Sequence, residues 1–150
     1  MTIGIAVIGA GMAGKAHAAA YRVAPTLYDS TLPDLRYVSI CDVNPEISQA
    51  TARRYGYERG DTDWRAIAGD PGIDVVSVVI ANSLHLEVVK GLLEAGKHVL
   101  CEKPLSDTLA SARKMADLAR EAFSVVRIGL TYRRQLPPGH ALAGPPVPQR

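Results

Sequence analysis

Short apolar runs alternate with longer polar or alanine-rich stretches along most of the chain. The strongest apolar run, residues 74–80, is rich in valine and has no polar alternation, which is typical of a strand covered by helices on both faces. Together these runs predict six strands, of which the third is a short edge strand. The strands are Ile3–Ile8, Leu35–Cys41 and residues 57–60, 74–80, 97–101 and 124–130.

The stretches between the strands carry residues that begin and end helices. Asn44 is suited to cap a helix that starts with Pro45, Asp107 to cap the last helix, and Gly96 to end the helix before it. The predicted helices are Pro45–Tyr55 and residues 12–24, 63–68, 86–95 and 108–122.

Strands that alternate with helices predict right-handed βαβ units, and therefore an α/β fold with a doubly wound parallel sheet of the Rossmann type. The expected strand order is 3-2-1-4-5-6, with a ligand outside the carboxyl ends of the strands where the order reverses. We expect one domain over residues 1–134. Residues 25–34 form a longer connection than the fold needs, and residues 135–150, rich in proline and glycine, are expected to be extended or disordered.

Composition narrows the class of protein. The chain has 150 residues, of which 47% are hydrophobic and 21% are charged, and its net charge is +2. These values fit one soluble globular domain and exclude a disordered chain. Charges of both signs are interspersed, and no apolar run reaches the roughly 18 residues that span a bilayer, so neither nucleic acid nor a membrane is an expected partner. The first residues lead straight into the strand-like run 2–8, without a basic region or a cleavage site of the kind found in secretory leaders, and a cytoplasmic location is expected.

The two cysteines, Cys41 and Cys101, end the second and fifth predicted strands. The expected strand order separates them by three inter-strand spacings, roughly 14 Å. That distance is too long for a disulfide, so we expect two buried free thiols.

A glycine-rich turn joins the first strand to the first helix. Gly9, Gly11 and Gly14 match the G-x-G-x-x-G pattern, with Met12 and Ala13 before the last glycine. The first glycine permits the tight turn, the second lets a pyrophosphate approach the backbone, and the third allows close helix-on-strand packing. The free N–H groups and the helix dipole then face the diphosphate. The alternative is a strand-to-helix turn that binds nothing.

Asp42 directly follows the second strand, where a carboxylate accepts hydrogen bonds from the adenosine ribose hydroxyls of a dinucleotide. Its distance along the chain from the glycine turn exceeds the usual spacing of about 20 residues, and the long connection at residues 25–34 accounts for the excess. The same negative charge would repel a 2′-phosphate, so NAD is favoured over NADP as the cofactor. The alternative is that Asp42 only opens the Asp-Val-Asn-Pro turn.

Polar clusters also follow the fourth and fifth strands. The first contains Ala81, Asn82 and His85, and the second is the triplet Glu102-Lys103-Pro104. Because the carboxyl ends of parallel strands lie on one rim of the sheet, we expect both clusters to meet Asp42 and the glycine turn there.

With these motifs the sequence resembles the Gfo/Idh/MocA family of oxidoreductases, which includes glucose–fructose oxidoreductase and inositol dehydrogenase. The resemblance covers residues 3–134, and the Glu-Lys-Pro triplet is its most specific part. The other carriers are the glycine turn, Asp42, residues 74–80 with Asn82 and His85, and Tyr132-Arg133.

The resemblance implies a role for each matching position. Asn82 and His85 would line the cofactor near its nicotinamide half, and Glu102 would contact the nicotinamide ribose. Lys103 would reach the hydroxyl or carbonyl of a sugar, inositol or similar polyol, and its peptide bond to Pro104 would be cis. Ala81 and Pro104 complete the expected cofactor contacts.

General chemistry agrees with a catalytic role for Lys103. Hydride transfer from an alcohol carbon needs a proton acceptor and a positive group beside the developing alkoxide, and a lysine next to Glu102 can supply either. The alternative is an exposed loop lysine. For His85 the alternative is a helix residue that caps or packs, while His17 is expected on the helix surface and Trp64 as a packing anchor. No metal site is expected.

Family members continue into a second α/β domain that supplies most substrate contacts. The resemblance therefore implies a truncated chain, with weak or no activity alone and an exposed sheet surface that favours self-association. A non-catalytic dinucleotide-binding module or regulator, and an interaction protein that kept only the fold, are the alternatives.

Overall fold

The computed structural model describes residues 2–27 and 33–129. Within them, six parallel strands form one sheet with helices on both faces. The strands are β1 (Ile3–Ile8), β2 (Leu35–Cys41), β3 (Arg59–Asp61), β4 (Val75–Val78), β5 (His98–Glu102) and β6 (Val126–Gly129). The helices are α1 (Met12–Leu27), α2 (Pro45–Tyr55), α3 (Trp64–Gly69), α4 (Asn82–Glu94) and α5 (Leu109–Glu121).

The strands lie in the order β3-β2-β1-β4-β5-β6, which confirms the predicted doubly wound sheet. β1 pairs with both β2 and β4, so the strand order reverses beside β1. At such a point the connections from neighbouring strands diverge to opposite faces of the sheet and leave a crevice at the carboxyl ends of the strands.

The core lies on both faces of the sheet, and β1 contributes to each. Its side chains alternate, so Ile5 and Val7 pack with residues of α1 and α2, whereas Ala6 and Ile8 pack with residues of α3, α4 and α5. All four side chains are at most 4% exposed. The strand that carries the glycine turn is therefore held by packing on both of its faces.

The first helix is three residues longer than predicted, because it continues through Pro25 to Leu27. A proline within a helix has no N–H for the carbonyl four residues earlier, which here belongs to Tyr21. The hydroxyl of Tyr37, on β2, donates to that carbonyl oxygen at 3.1 Å. A side chain from the sheet thus replaces the missing helical hydrogen bond.

The third strand was predicted two residues too early, at residues 57–60 rather than Arg59–Asp61. Gly56 ends α2 in the left-handed conformation, and Tyr57 then turns into the core, where it is 6% exposed. Pairing with β2 starts only at Arg59, opposite Ser39.

Two helix starts also differ from the prediction. α4 begins at Asn82, four residues earlier than expected. The cap of α5 is Thr108, whose hydroxyl oxygen accepts the Ser111 N–H at 3.1 Å, and not Asp107. The Asn44 cap of α2 is confirmed. Four other elements differ from their predicted bounds by one or two residues: α3, β4, β5 and β6.

Cys41 and Cys101 are free and buried, on β2 and β5, as predicted. Among the described residues, no helix has the length and apolar character needed to cross a membrane. Residues 28–32 of the expected long connection, the Tyr132-Arg133 pair and the tail at 135–150 lie outside the described residues.

Candidate cofactor-binding site

The glycine turn leaves β1 and opens α1. Gly9 has φ of +100°, and a Cβ there would overlap the carbonyl oxygen of Val79. At Gly14 a Cβ would overlap the carbonyl of Gly9, which is why the helix can pack so closely on the turn. Gly11, in contrast, has open space where a Cβ would stand. The turn is thus closely packed at Gly9 and Gly14 and open at Gly11. Met12, next to Gly11, is 90% exposed.

Asp42 connects this turn to the end of β2. Its Oδ2 accepts a hydrogen bond from the Ala10 N–H at 2.9 Å, and its Oδ1 accepts one from the Asn44 N–H at 3.0 Å. The carboxylate therefore both opens the turn before α2 and lies against the glycine turn. A cavity of about 320 Å³ is bounded by Gly9, Gly11 and Asp42.

The polar cluster that follows β4 begins at the same cavity. Ala81 lines it, and the exposed Asn82 begins α4 next to it. Trp64 forms another part of the wall and packs so closely on Gly91 that a Cβ there would lie 2.5 Å from the indole ring. The tryptophan therefore packs against the core, as predicted, and does so at the wall of this cavity.

His85 lies beneath the rim, with 1% of its surface exposed. Its Nε2 is 3.1 Å from the Ile80 carbonyl oxygen, and its Nδ1 is 3.2 Å from that of Leu105 and 3.4 Å from the Cys101 Sγ. The imidazole thus joins the loop after β4 to the loop after β5. This geometry matches the packing alternative, in which the side chain supports the rim from below.

The Glu102-Lys103-Pro104 triplet ends β5 at the same rim, and the Lys103–Pro104 peptide bond is cis, as the resemblance implied. One carboxylate oxygen of Glu102 accepts from the Lys103 backbone N–H at 3.0 Å. The Lys103 side chain is exposed. Both residues line a second cavity, of about 540 Å³, together with Ala13 of the glycine turn.

The expectation that His17 lies on the helix surface was wrong. Its Nε2 is 3.0 Å from Glu102 Oε1, its Nδ1 is 3.1 Å from Ser77 Oγ, and its side chain is only 15% exposed. The signal in the sequence is its position one helical turn after Ala13, on the side of α1 that turns towards β4 and β5. The prediction for His17 did not take into account which face of α1 packs on the sheet.

Neither cysteine is a nucleophile in the folded chain. Burial, together with the charge of neighbouring carboxylates, raises the pKa of Cys41 and of Cys101 to about 12, and the carboxylate that acts on Cys101 is Glu102. Within residues 2–27 and 33–129, no three histidine, cysteine or carboxylate side chains converge as they would around a metal ion.

Part of the predicted site lines two cavities that share the glycine turn, with Gly11 bounding one and Ala13 the other. Asp42 lies at one end, and Glu102 and Lys103 lie at the other. A dinucleotide fits this arrangement, because open backbone at a helix N-terminus suits a diphosphate and a carboxylate beside it suits a ribose. Fold and site together define a dinucleotide-binding Rossmann domain.

Comparison with known proteins gives the family. Residues 3–130 match the Gfo/Idh/MocA family, described as an oxidoreductase family with an NAD-binding Rossmann fold, and the chain belongs to it.

Two curated relatives share most of this domain. Levoglucosan dehydrogenase of Pseudarthrobacter phenanthrenivorans is 40% identical over 143 residues, which are 94% of this chain and 36% of the relative. D-Glucoside 3-dehydrogenase of Escherichia coli is 38% identical over 130 residues, which are 86% of this chain and 35% of the relative. The chain thus spans about a third of the length of these relatives, and corresponds to their cofactor-binding domain.

The solved structure of levoglucosan dehydrogenase in complex with NADH superposes on the chain with a TM-score of 0.85 at 36% identity. The match covers 89% of this chain and 36% of that protein. The similarity of fold therefore extends over nearly all of the chain.

Proposed function

We propose that the chain, through a domain over residues 1–134, binds NAD across the rim of the sheet. The observation that carries this proposal is the contact between Asp42 and the glycine turn, which places a carboxylate beside exposed N–H groups at the start of α1. The diphosphate would lie on the turn formed by Gly9, Gly11, Met12, Ala13 and Gly14. The adenosine ribose would lie against Asp42, in the cavity that Ala81 also lines.

Selection of NAD over NADP follows from the charge at that position. A 2′-phosphate carries negative charge, and it would have to lie beside the Asp42 carboxylate. Two oxygens of this carboxylate already hold backbone N–H groups at 2.9 and 3.0 Å, so the side chain cannot rotate away without losing both bonds.

The nicotinamide half would extend along the rim past Asn82 and Pro104 to Glu102, which lines the second cavity. Bound there, the cofactor supplies a hydride acceptor. Glu102 would hold the nicotinamide ribose, and Lys103 would be the catalytic residue, placing its ammonium group beside the substrate oxygen and stabilising negative charge as it develops there. His85 would act indirectly, by holding the Ile80 and Leu105 backbone at the rim.

The substrate class proposed for the complete active site is a sugar, inositol or similar polyol that reacts at a hydroxyl group. Support comes from the two relatives, which are dehydrogenases of sugar derivatives. Residues beyond a Rossmann domain would be needed to enclose such a substrate. We therefore expect the chain alone to bind NAD weakly and to show little or no turnover. The expected location of the protein is the cytoplasm.

Self-association is a further expectation, because β6 pairs only with β5 among the described residues. Val125 and Ile128 beside that edge are 54% and 39% exposed, and an open strand with apolar side chains favours pairing with another chain. Light scattering over a range of concentrations measures this; a constant monomer mass up to the highest concentration would contradict it.

Calorimetric titration with NADH, NADPH and ADP tests cofactor binding. We expect NADH to bind at micromolar to millimolar concentrations and NADPH to bind more weakly. No heat with any of the three at millimolar concentration would overturn the proposal. A spectrophotometric screen of polyols with NAD distinguishes an enzyme from a non-catalytic binding module, since only an enzyme reduces NAD reproducibly.

A further inference from the structure

His17 joins three elements of the fold that are distant in sequence. It lies in α1, one ring nitrogen is 3.1 Å from Ser77 Oγ on β4, and the other is 3.0 Å from Glu102 Oε1 on β5. Ser77 is fully buried, and the side chains of His17 and Glu102 are 15% and 16% exposed. The helix that begins with the glycine turn is thereby connected to the Glu-Lys-Pro loop.

The donors and acceptors around His17 have one consistent arrangement with a neutral imidazole. An ionised Glu102 can only accept, so the Nε2 atom of His17 carries the proton and donates it. Nδ1 then accepts from the Ser77 hydroxyl, and Ser77 accepts from Tyr21, whose hydroxyl lies 2.9 Å away. Burial raises the pKa of Tyr21, which keeps this phenol protonated as the first donor of the chain.

Glu102 is held on its other sides as well. Its Oε2 accepts from the Lys103 backbone N–H at 3.0 Å. A Cβ at Gly129 on β6 would stand 2.6 Å from Oε1, so the glycine leaves the space that the carboxylate fills. His17 is the one side chain in the described part of the structure that donates to this carboxylate.

We propose that His17 is a positioning residue that fixes the Glu102 carboxylate, and with it the backbone N–H of Lys103, for the nicotinamide half of the cofactor. This inference rests on the proposed binding of NAD across the rim. The His17 side chain lines the second cavity and makes its hydrogen bonds to Ser77 and Glu102, not to the glycine turn or Asp42. Its effect is therefore expected at the end of the site that holds Glu102 and Lys103.

The test compares His17→Leu and His17→Gln with His98→Leu as the matched control. His98 also bonds across the sheet, accepting the Val125 N–H at 2.9 Å, but at the opposite end of β5 from Glu102. Two ligands are titrated: NADH, and ADP, which lacks the second ribose and the nicotinamide.

We expect His17→Leu to weaken NADH binding about tenfold, as loss of one charge-assisted hydrogen bond does, and to change ADP binding less than about twofold. His17→Gln, whose amide can donate to Glu102, should recover part of the loss. Adding Glu102→Ala to His17→Leu should weaken NADH binding no further than Glu102→Ala alone. Unchanged NADH affinity in His17→Leu, with a loss in Glu102→Ala, would overturn the proposal.

Hydrogen exchange decides the same question without a ligand. The Lys103 N–H should exchange about tenfold faster in His17→Leu than in the unaltered chain, and at an unchanged rate in His98→Leu, because only the first variant releases its acceptor. Equal exchange in all three chains contradicts positioning by His17. If neither NADH nor ADP binds to the unaltered chain, the proposed function fails, and the exchange result still judges the role of His17.

Discussion

The Oδ2 atom of Asp42 lies 2.9 Å from the backbone nitrogen of Ala10, so the residue that directly follows β2 holds the glycine turn that follows β1. The two residues are 32 positions apart in the sequence. The hydrogen bond means that the acidic residue and the phosphate turn form one unit, and that changes at Asp42 affect the shape of the turn as well as its charge.

Asp42→Asn separates these two effects. The amide oxygen can still accept the Ala10 N–H, but the negative charge is lost and the Asn44 N–H loses its acceptor. We expect NADH to bind a few-fold more weakly and NADPH to bind more tightly, so that the preference for NADH falls about tenfold, which corresponds to ~1.4 kcal/mol. Titration with both cofactors measures this ratio.

The control for this variant is Asp74→Asn. The Asp74 carboxylate accepts the Gly4 N–H at 2.7 Å, a bond of the same kind at the opposite end of β1. Asp74→Asn should leave the ratio of NADH affinity to NADPH affinity unchanged. If Asp42→Asn keeps the same preference for NADH over NADPH, the Asp42 carboxylate does not discriminate between the two cofactors at the ribose 2′ position.

Two glycines of the turn should respond to alanine in opposite ways. Gly14→Ala drives a Cβ into the Gly9 carbonyl and should lower the free energy of unfolding by about 1–3 kcal/mol. Gly11→Ala meets no atom within 4 Å and should leave stability within about 0.5 kcal/mol, while weakening NADH and ADP binding, because the methyl group stands where the diphosphate approaches.

Urea unfolding and ligand titration measure the two effects separately. Gly69→Ala is the control, since its added methyl group also meets nothing within 4 Å and it lies at the end of α3. Full ligand binding by Gly11→Ala would argue against a diphosphate on this turn.

His85→Leu should destabilise the chain by about 1–3 kcal/mol, because a partly buried carbonyl oxygen, that of Ile80 or of Leu105 according to the tautomer, loses the imidazole N–H that reaches it. The neighbouring Leu84 is 48% exposed, and Leu84→Ala should cost less than about 1 kcal/mol. Chemical denaturation of both variants makes the comparison. An equal loss in the two would mean that the imidazole contributes nothing beyond apolar packing.

The buried thiols predict a loss of stability in alkali. Folding raises the thiol pKa from 9.0 to about 12 at Cys41 and Cys101. The folded state therefore keeps protons that the unfolded chain releases, so the contribution is complete below pH 9 and is lost as the pH rises towards 12. Each thiol can lower the free energy of unfolding by up to about 1.4 kcal/mol per pH unit in that range.

Replacing both cysteines by alanine should reduce this dependence on pH. Urea unfolding at pH 8 and pH 10.5 should show a smaller loss for Cys41→Ala/Cys101→Ala than for the unaltered chain, whatever their difference at pH 8. Tyrosines titrate in both chains and cancel in the comparison. Identical losses would exclude the thiols as the cause.

The architecture was predictable because each strand carries its own signal. Local patterns, such as the apolar run 74–80 and the segment from the glycine turn to Asp42, were enough to locate the strands. The right-handedness of βαβ units then gave the strand order. Cap residues were less certain: Asn44 is followed by a proline that restricts the choice, whereas Asp107 and Thr108 are both good caps and only the hydrogen bond from Ser111 distinguishes them.

Long-range side-chain contacts were not predictable in this way. The partners of His17 are Ser77 and Glu102, which are 60 and 85 positions away in the sequence. The continuation of α1 through Pro25 depends on Tyr37, a residue of another element. In both cases a polar group finds its partner across the sheet, and no window of neighbouring residues contains that information.

The close approach of Gly129 to Glu102 sets a boundary for protein engineering. If this domain is grafted onto another substrate-binding module, the junction has to come after β6, because a splice upstream would remove the wall against which that carboxylate rests. Any side chain at position 129 would push the carboxylate aside. A designer who varies the linker is therefore free only downstream of this glycine.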